Sequence, residues 1–230
     1  MDDSIDPPRQ SLLDVTQEKL QKQGKTVVLS RVLFVIQTSD KHNSSKTEIE
    51  AAHSAMLKAA RGETDKETGL LIVFPNCIVH MLETTTKMIF TYLRQLLNAE
   101  GITSMKIISS TEDIPSRAFQ KWYCSFVNSQ TQEHYDGDEG ESLVNVASDA
   151  NIALIKLGKH VSALGQRDAD SSMESLRTSY PDLPQIDPFM IVCHSEEAPS
   201  VREFLDIYDS PVDIDLESEN VWPMPVPLTF

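Results

Sequence analysis

Several kinds of residue are scarce in this chain of 230 residues, and each scarcity excludes a class of protein. Its three cysteines, Cys77, Cys124 and Cys193, are odd in number and widely spaced, which argues against a disulfide framework and fits a reducing compartment. No apolar run approaches the roughly 20 residues that cross a bilayer. The opening MDDSIDPPRQSLLD lacks the positive flank and the apolar centre of a signal peptide. The sequence therefore predicts an intracellular, cytoplasmic protein.

Basic residues are scarce as well. Lys and Arg number 20 against 35 Asp and Glu, which gives a formal net charge of −15. Such a chain repels the phosphates of nucleic acids and of anionic lipids, so we expect no nucleic-acid partner and no membrane partner. The apolar fraction of 40% still allows a folded core. The partners that fit this charge are proteins with basic or apolar surfaces.

Motifs for catalysis and for metal binding are missing. Cys77 and His80 have C-x-x-H spacing, but residues three apart on a strand face opposite ways. The eight glycines form neither a phosphate loop nor a Gly-x-Ser-x-Gly elbow. The acidic run Asp136–Glu141 lacks the glycine that a calcium loop needs at its sixth position. We therefore predict a protein that is not an enzyme and has no metal and no cofactor.

The hydrophobic pattern predicts an α+β fold. Strands are expected at 27–38, 69–74, 77–83, 104–111 and 122–127. One helix is expected at 47–61, with an apolar stripe of Ile49, Ala52, Met56 and Ala59/Ala60, and a second helix follows the threonines at 84–86. The order β-α-β-β-α-β plus one strand is the ferredoxin-like pattern, with two helices on one face of the sheet. A ferredoxin-like acylphosphatase would need an arginine after the first strand, and the loop SDKHNSSK has none.

The remaining segments predict extensions around this domain. Residues 1–26 are expected to be a flexible arm, 27–129 the ferredoxin-like domain, 130–141 an acidic linker, and 165–230 a C-terminal extension. The apolar stripe of 142–164 predicts a helix that covers the other face of the sheet. Within the extension, 165–183 is expected to be irregular. A capping box of Ser200 and Glu203 predicts a helix, and a strand followed by an extended proline-rich tail is expected at the end.

Three pieces of the domain carry a family resemblance. RVLFVIQT, ETGLLIVFPNCIVHMLE and IPSRAFQKWYCSF resemble, in order and spacing, the signature of the BLUF domain, a ferredoxin-like flavin-binding photoreceptor module. The resemblance covers about residues 29–127. It implies that the flavin-contacting tyrosine, asparagine and glutamine of a BLUF domain correspond to Phe34, Gly62 and His80. Because all three polar partners are changed, these are degenerate flavin positions, and neither bound flavin nor a light response is expected.

The chain as a whole resembles the testis-expressed protein 47 family, a BLUF-like family of animals. The segments GLLIVFPNCIVHMLETTTKMIFTYL and FLDIYDSPVDIDLESENVWPMP carry this resemblance. It implies a non-enzymatic structural or adaptor protein of the ciliary or sperm flagellar axoneme, with axonemal complex subunits as partners. The alternative is a small-molecule sensor, without photochemistry, that keeps a cavity between the two helices for a flavin-like ligand.

The C-terminal segment is the predicted partner-binding element. Apolar residues alternate with acidic ones, and a tryptophan between valine and proline is typical of interface hot spots. The expected contact residues are Val212, Ile214, Leu216, Val221 and Trp222. The other interpretation is that the tail folds back and Trp222 fills the protein's own core.

Overall fold

A computed structural model describes residues 11–22, 24, 27–38, 46–62, 66–127, 142–181, 183, 184 and 186–210. The acidic linker 130–141 and the tail from residue 211 onward, with all five predicted contact residues and the predicted terminal strand, lie outside the described residues. In the described part of the chain, no helix is both long enough and apolar enough to cross a membrane.

The described part of the chain contains five strands and eight helices. The strands are β1 Ser30–Thr38, β2 Thr68–Val73, β3 Cys77–Thr84, β4 Ile102–Thr111 and β5 Trp122–Phe126. The helices are α1 Leu12–Lys22, α2 Lys46–Ala60, α3 Thr86–Leu97, α4 Leu143–Ala163, α5 Gln166–Glu174, α6 Leu176–Ser179, α7 Asp187–His194 and α8 Val201–Tyr208.

The strands form one sheet in the order β4-β1-β3-β2-β5. β1 is antiparallel to β3 and β4, β2 is antiparallel to β3, and β5 runs parallel to β2. Every residue of β2 and β3 is buried, as expected of apolar strands covered on both faces. The order and the directions confirm the predicted ferredoxin-like α+β fold with one added strand.

One face of the sheet, called here the α2/α3 face, is covered by α2, α3 and α8. α3 begins at the predicted threonines, where the Thr85 hydroxyl accepts a hydrogen bond from the Met88 N–H. The Ser200–Glu203 capping box at the start of α8 is also present. In α2 the fully buried residues are His53 and Leu57, whereas Ala52 and Ala59 of the predicted stripe are exposed. The helix is therefore rotated from the expected orientation, because its imidazole has partners in the core.

The opposite face, called here the α4 face, is covered by α4, α5, α6 and α7. Leu154, Leu157 and Val161 of α4 belong to the same buried cluster as Leu33, Val35 and Leu70 of the sheet. α4 packs closely against the loop between β4 and β5 because Gly158 has no side chain. A Cβ at this position would lie 2.7 Å from Cε2 of Phe119 in that loop. The structure thus places α4 on the face that the sequence analysis assigned to it.

Two segments differ from their expected structure. α1 lies within the predicted flexible arm, and α5 and α6 occupy much of the stretch that was predicted to be irregular. In the second case, Ala169, Met173 and Leu176 are buried against the sheet. Their spacing of four and three residues is helical, and burying three apolar side chains is enough to order an otherwise polar stretch.

A buried carboxylate lies at one end of the α4 face. Glu83 pairs with Arg31, with 2.6 Å between Oε1 and Nη2, and its side chain is 0% exposed. Its carboxylate also accepts hydrogen bonds from the Thr68 hydroxyl and from the backbone N–H groups of Ala118 and Phe119. Glu83 therefore holds the loop between β4 and β5 against the sheet. The segments that resemble the BLUF signature contribute Thr68, Glu83 and Arg117 here. Arg117 donates hydrogen bonds to the Thr68 hydroxyl and to the Glu83 carbonyl, so these residues have a structural role.

Candidate functional site

The degenerate flavin positions Phe34 and His80 lie side by side on the α2/α3 face. They are directly opposed on β1 and β3, and their ring centroids are 5.3 Å apart. Both side chains are fully buried. The third position, Gly62, is exposed beyond the end of α2, so it does not share their environment. Cys77 belongs to the buried cluster of the α4 face, whereas His80 contacts the α2/α3 face, as their spacing on a strand requires.

His80 is the centre of a chain of four hydrogen-bonded side chains, called here the buried polar chain. Trp122 Nε1 lies 3.0 Å from His80 Nε2. His80 Nδ1 lies 3.2 Å from the Tyr92 hydroxyl, and that hydroxyl lies 2.6 Å from His53 Nδ1. The chain thus joins β5, β3, α3 and α2 through groups that would each be costly to bury alone.

Trp122 fixes the direction of every hydrogen bond in this chain. An indole N–H can only donate, so Nε2 of His80 accepts and Nδ1 of His80 carries the proton. Nδ1–H then donates to the Tyr92 oxygen. The Tyr92 hydroxyl donates in turn to Nδ1 of His53, which leaves the His53 proton on Nε2.

Burial keeps both imidazoles neutral. Desolvation lowers the pKa of His53 to about 4. Desolvation, with a smaller contribution from His53, lowers the pKa of His80 well below its ordinary value. Desolvation also raises the pKa of Tyr92 well above its ordinary value. At neutral pH the buried polar chain therefore consists of uncharged groups, which is the state its hydrogen bonds require.

A cleft opens beside the buried polar chain, between α2 and α3 at the edge of the sheet. Its volume is about 270 Å³. The buried part of its lining is apolar apart from His53, and the exposed Glu48 and Glu100 also line it. The apolar lining residues include Ile36, Ile49, Met56, Val73, Ile78, Leu96 and Ile102.

Sequence reasoning found part of this site and missed the rest. It singled out His80, but it did not single out His53. A signal was present, since Ile49, His53 and Leu57 recur every four residues along α2. Among the described residues, no group of three or more His, Cys, Asp or Glu side chains could hold a metal ion.

A family model named for testis-expressed protein 47 matches residues 28–210. This is most of the chain, and it includes every residue of the buried polar chain. The chain belongs to the testis-expressed protein 47 family.

Solved structures similar to this member of the family include BLUF proteins. The BLUF protein BlrB is 16% identical with a TM-score of 0.36, and the match covers 67% of this chain and 97% of that one. The BLUF domain of BlrP1 is 11% identical with a TM-score of 0.36, covering 66% and 89%. A bacterial light-regulated adenylyl cyclase is 16% identical with a TM-score of 0.37. The match covers 64% of this chain and 40% of the cyclase chain.

The residues present do not fit a flavin. Phe34 has no hydroxyl, and the ring nitrogens of His80 are both engaged, one by Trp122 and one by Tyr92. The cleft of about 270 Å³ is smaller than the roughly 300–1,000 Å³ that sites for drug-sized ligands provide.

Proposed function

We propose that this protein is a non-catalytic adaptor of the sperm flagellar or ciliary axoneme, with the ferredoxin-like domain as its folded platform. The observation that carries the proposal is the interior of the α2/α3 face. There the groups at two of the flavin positions, Phe34 and His80, contact each other and their neighbours instead of lining an open site. Such an interior serves stability, which leaves the surface as the functional part of the molecule.

Membership of a testis-expressed family supports the cell type in this proposal. The net charge of −15 supports partners with basic or apolar surfaces, such as subunits of axonemal complexes. Partner proteins, in this proposal, contact both the domain surface and the C-terminal segment.

The junction between the domain and the C-terminal segment supports that segment as a contact region. Ile207 and Tyr208, the last residues of α8, are 68% and 60% exposed although both are large and apolar. They directly precede the segment that contains Val212, Ile214 and Trp222. A partner could bury these exposed apolar residues, while its basic groups pair with the acidic residues beside them.

Cosedimentation with demembranated sperm flagella tests the proposal. The purified full chain should sediment with the axonemes in a saturable way. Its affinity should fall when the salt concentration is raised, because acidic residues of the segment would face basic groups of the partner. Crosslinking followed by mass spectrometry would identify the neighbours. A full chain that stays in the supernatant at low salt would contradict the adaptor role.

Truncation after Ser210 separates the two interpretations of the C-terminal segment. If the segment binds the partner, the shortened chain should melt at the temperature of the full chain and lose most of its sedimentation. Trp222→Ala should reproduce part of that loss. If the shortened chain unfolds instead, the segment belongs to the protein's own core and the proposed contact is wrong.

A further inference from the structure

The outer side of α4 carries large apolar side chains that no described residue covers. Val144, Ser148, Ile152 and Lys156 follow one another at intervals of four residues, and all four are exposed. They form a ridge along the helix, called here the outer ridge. Val144 and Ile152 are 69% and 46% exposed, and two helical turns place them about 12 Å apart. The outer ridge therefore has two apolar projections, with the small Ser148 between them.

Two grooves lie on opposite sides of the outer ridge. One lies between the N-terminal half of α4, β4 and the α7–α8 connection. Its volume is about 270 Å³, and the buried Val192 and Ala198 belong to its lining. The other lies between the C-terminal half of α4 and residues 180–183. Its volume is about 430 Å³, and it includes the buried Leu157 and Leu183. Because a helix packs its side-chain ridges into grooves of this kind, a second helix that crosses α4 obliquely would contact both grooves.

Charges of opposite sign lie at the two ends of this surface. Lys156 and Lys159, towards the C-terminus of α4, are both exposed. Among the ion pairs formed by the described residues, none includes either lysine. Towards the N-terminus of α4, the charged groups that line the grooves are Asp149 and Glu197. In a chain with a net charge of −15, two such lysines beside apolar side chains are complementary to the carboxylates of a partner.

We propose that the outer ridge and its two grooves bind an amphipathic helix of another protein. The apolar face of that helix covers Val144 and Ile152, and its acidic residues lie at the end that meets Lys156 and Lys159. This partner is opposite in charge to the one that fits the C-terminal segment, so the two surfaces select different proteins. Binding of a helix to the purified chain does not require the axonemal location, so either proposal can fail without the other.

Three synthetic peptides of about 15 residues test the proposal on the full chain. The acidic peptide has leucine at every third or fourth position and glutamate in one half. The second peptide has glutamine in place of each glutamate. The third has the composition of the acidic peptide, but its leucines are distributed around the helix. Fluorescence anisotropy measures the binding of each labelled peptide.

The acidic peptide should bind in a saturable way, with a Kd on the order of 100 μM. The glutamine peptide should bind about two- to tenfold more weakly, the range expected for two exposed ion pairs. The third peptide should show no saturable binding. The net charge of the chain favours the opposite order for the first two peptides, so the expected order reports the local charge of the surface. An acidic peptide that binds no better than the glutamine peptide would overturn the proposal.

Substitutions test the position of the site. Ile152→Asp replaces an exposed side chain, so the fold should persist while binding of the acidic peptide is lost. Lys156→Glu should weaken binding at least about threefold. Lys58→Glu, at an exposed position of α2 on the other face of the sheet, changes the net charge equally and should leave the Kd within about twofold of the parent. Equal effects of the two lysine variants, or unchanged binding by Ile152→Asp, would overturn the site.

Carbodiimide crosslinking identifies the occupant, because the reagent couples a lysine to a carboxylate that contacts it. With the acidic peptide present, mass spectrometry should find Lys156 or Lys159 of the full chain coupled to a peptide glutamate. Without the peptide, neither lysine should be coupled. Coupling of either lysine to the chain's own acidic residues in 211–219, or to a second copy of the chain, would identify a different occupant and overturn the proposal.

Discussion

The two faces of the sheet bury their polar groups by different means, although β3 supplies the central residue of each. On the α4 face, Glu83 is a carboxylate paired with Arg31 and with backbone N–H groups of the following loop. On the α2/α3 face, His80 is a neutral ring within a chain that ends at Trp122 and His53. The first arrangement holds a loop, and the second joins two helices and two strands.

This difference shows where the molecule can respond to its surroundings. A buried carboxylate with several donors is replaced only at high cost, because its partners lose their hydrogen bonds together. Hydrogen bonds between neutral groups contribute less free energy each, and protonation of a histidine can break them. The α4 face is therefore expected to be the rigid side of the molecule, and the α2/α3 face the adjustable one.

Leu154→Asp should have the largest effect and tests the rigid side. Leu154 is 1% exposed in the α4-face cluster. The substitution removes an apolar side chain, which alone costs about 2–5 kcal/mol, and buries an unpaired charge. We expect the folded state to be lost in circular dichroism melts. Ile152→Asp, on the same helix at a position 46% exposed, is the control and should melt near the parent. A folded Leu154→Asp protein would show that α4 is dispensable.

Glu83→Gln should have the next largest effect. The amide keeps the shape but cannot pair with Arg31, and removing one partner of a buried pair typically costs about 3–5 kcal/mol. Urea unfolding measures the loss of free energy. Glu112→Gln, in an exposed position of the loop after β4, should change stability by no more than about 0.5 kcal/mol. Equal stability of the two variants would mean that the carboxylate does not hold the loop.

Acid should weaken the α2/α3 face before it affects carboxylates. The folded-state pKa of His53 is lowered to about 4 and that of His80 is lowered well below its usual range. Between about pH 4 and pH 6.5, the unfolded chain therefore binds more protons than the folded chain. The free energy of unfolding consequently falls as the pH falls through this window. At pH 5.5 the loss from His53 should be about 1.4 kcal/mol, and His80 should add to it in the same direction.

The matched variants for this prediction are His53→Gln and His160→Gln. Urea unfolding at pH 7.5 and pH 5.5 gives the change in free energy for each protein. His53→Gln should lose the part of the pH dependence that His53 contributes, about 1.4 kcal/mol, whereas His160→Gln, at an exposed position on α4, should retain all of it. Stability that does not change between the two pH values would contradict the burial of neutral imidazoles.

Much of the fold could be predicted because it is determined by local patterns. Continuous apolar runs identified β2 and β3, and the threonines before α3 identified its start. α5 was missed because its apolar residues, Ala169 and Met173, are few and lie among acidic and hydroxyl residues. The rotation of α2 was missed for another reason. A histidine is counted as polar in a sequence, and only the meeting with Tyr92 makes its burial favourable.

The contacts within the candidate site were harder to predict from local patterns than the fold. The position of His80 on a strand could be predicted, because it lies within the apolar run of 77–83. Its hydrogen-bond partners are Trp122 on β5 and Tyr92 on α3, which lie 42 and 12 residues away in the sequence. Contacts of this kind depend on the packing of helices on the sheet. No local pattern specifies which buried nitrogen will meet which hydroxyl.

Tyr92→Phe should have the smallest effect and addresses the buried polar chain directly. Loss of the hydroxyl leaves Nδ1 of His53 without a donor and Nδ1–H of His80 without an acceptor, while the ring still fills its space. An unsatisfied buried polar group costs about 1–3 kcal/mol. Because the rings can relax, the free energy of unfolding should fall by no more than this range in total. Tyr123→Phe is the matched control, since Tyr123 is buried on the α4 face and its ring lies 5.1 Å from Nζ of Lys121. The two variants should differ in urea unfolding by at least about 1 kcal/mol. Equal stabilities would show that the hydroxyl of Tyr92 does not connect the two histidines, and the contrast between the two faces would lose its basis.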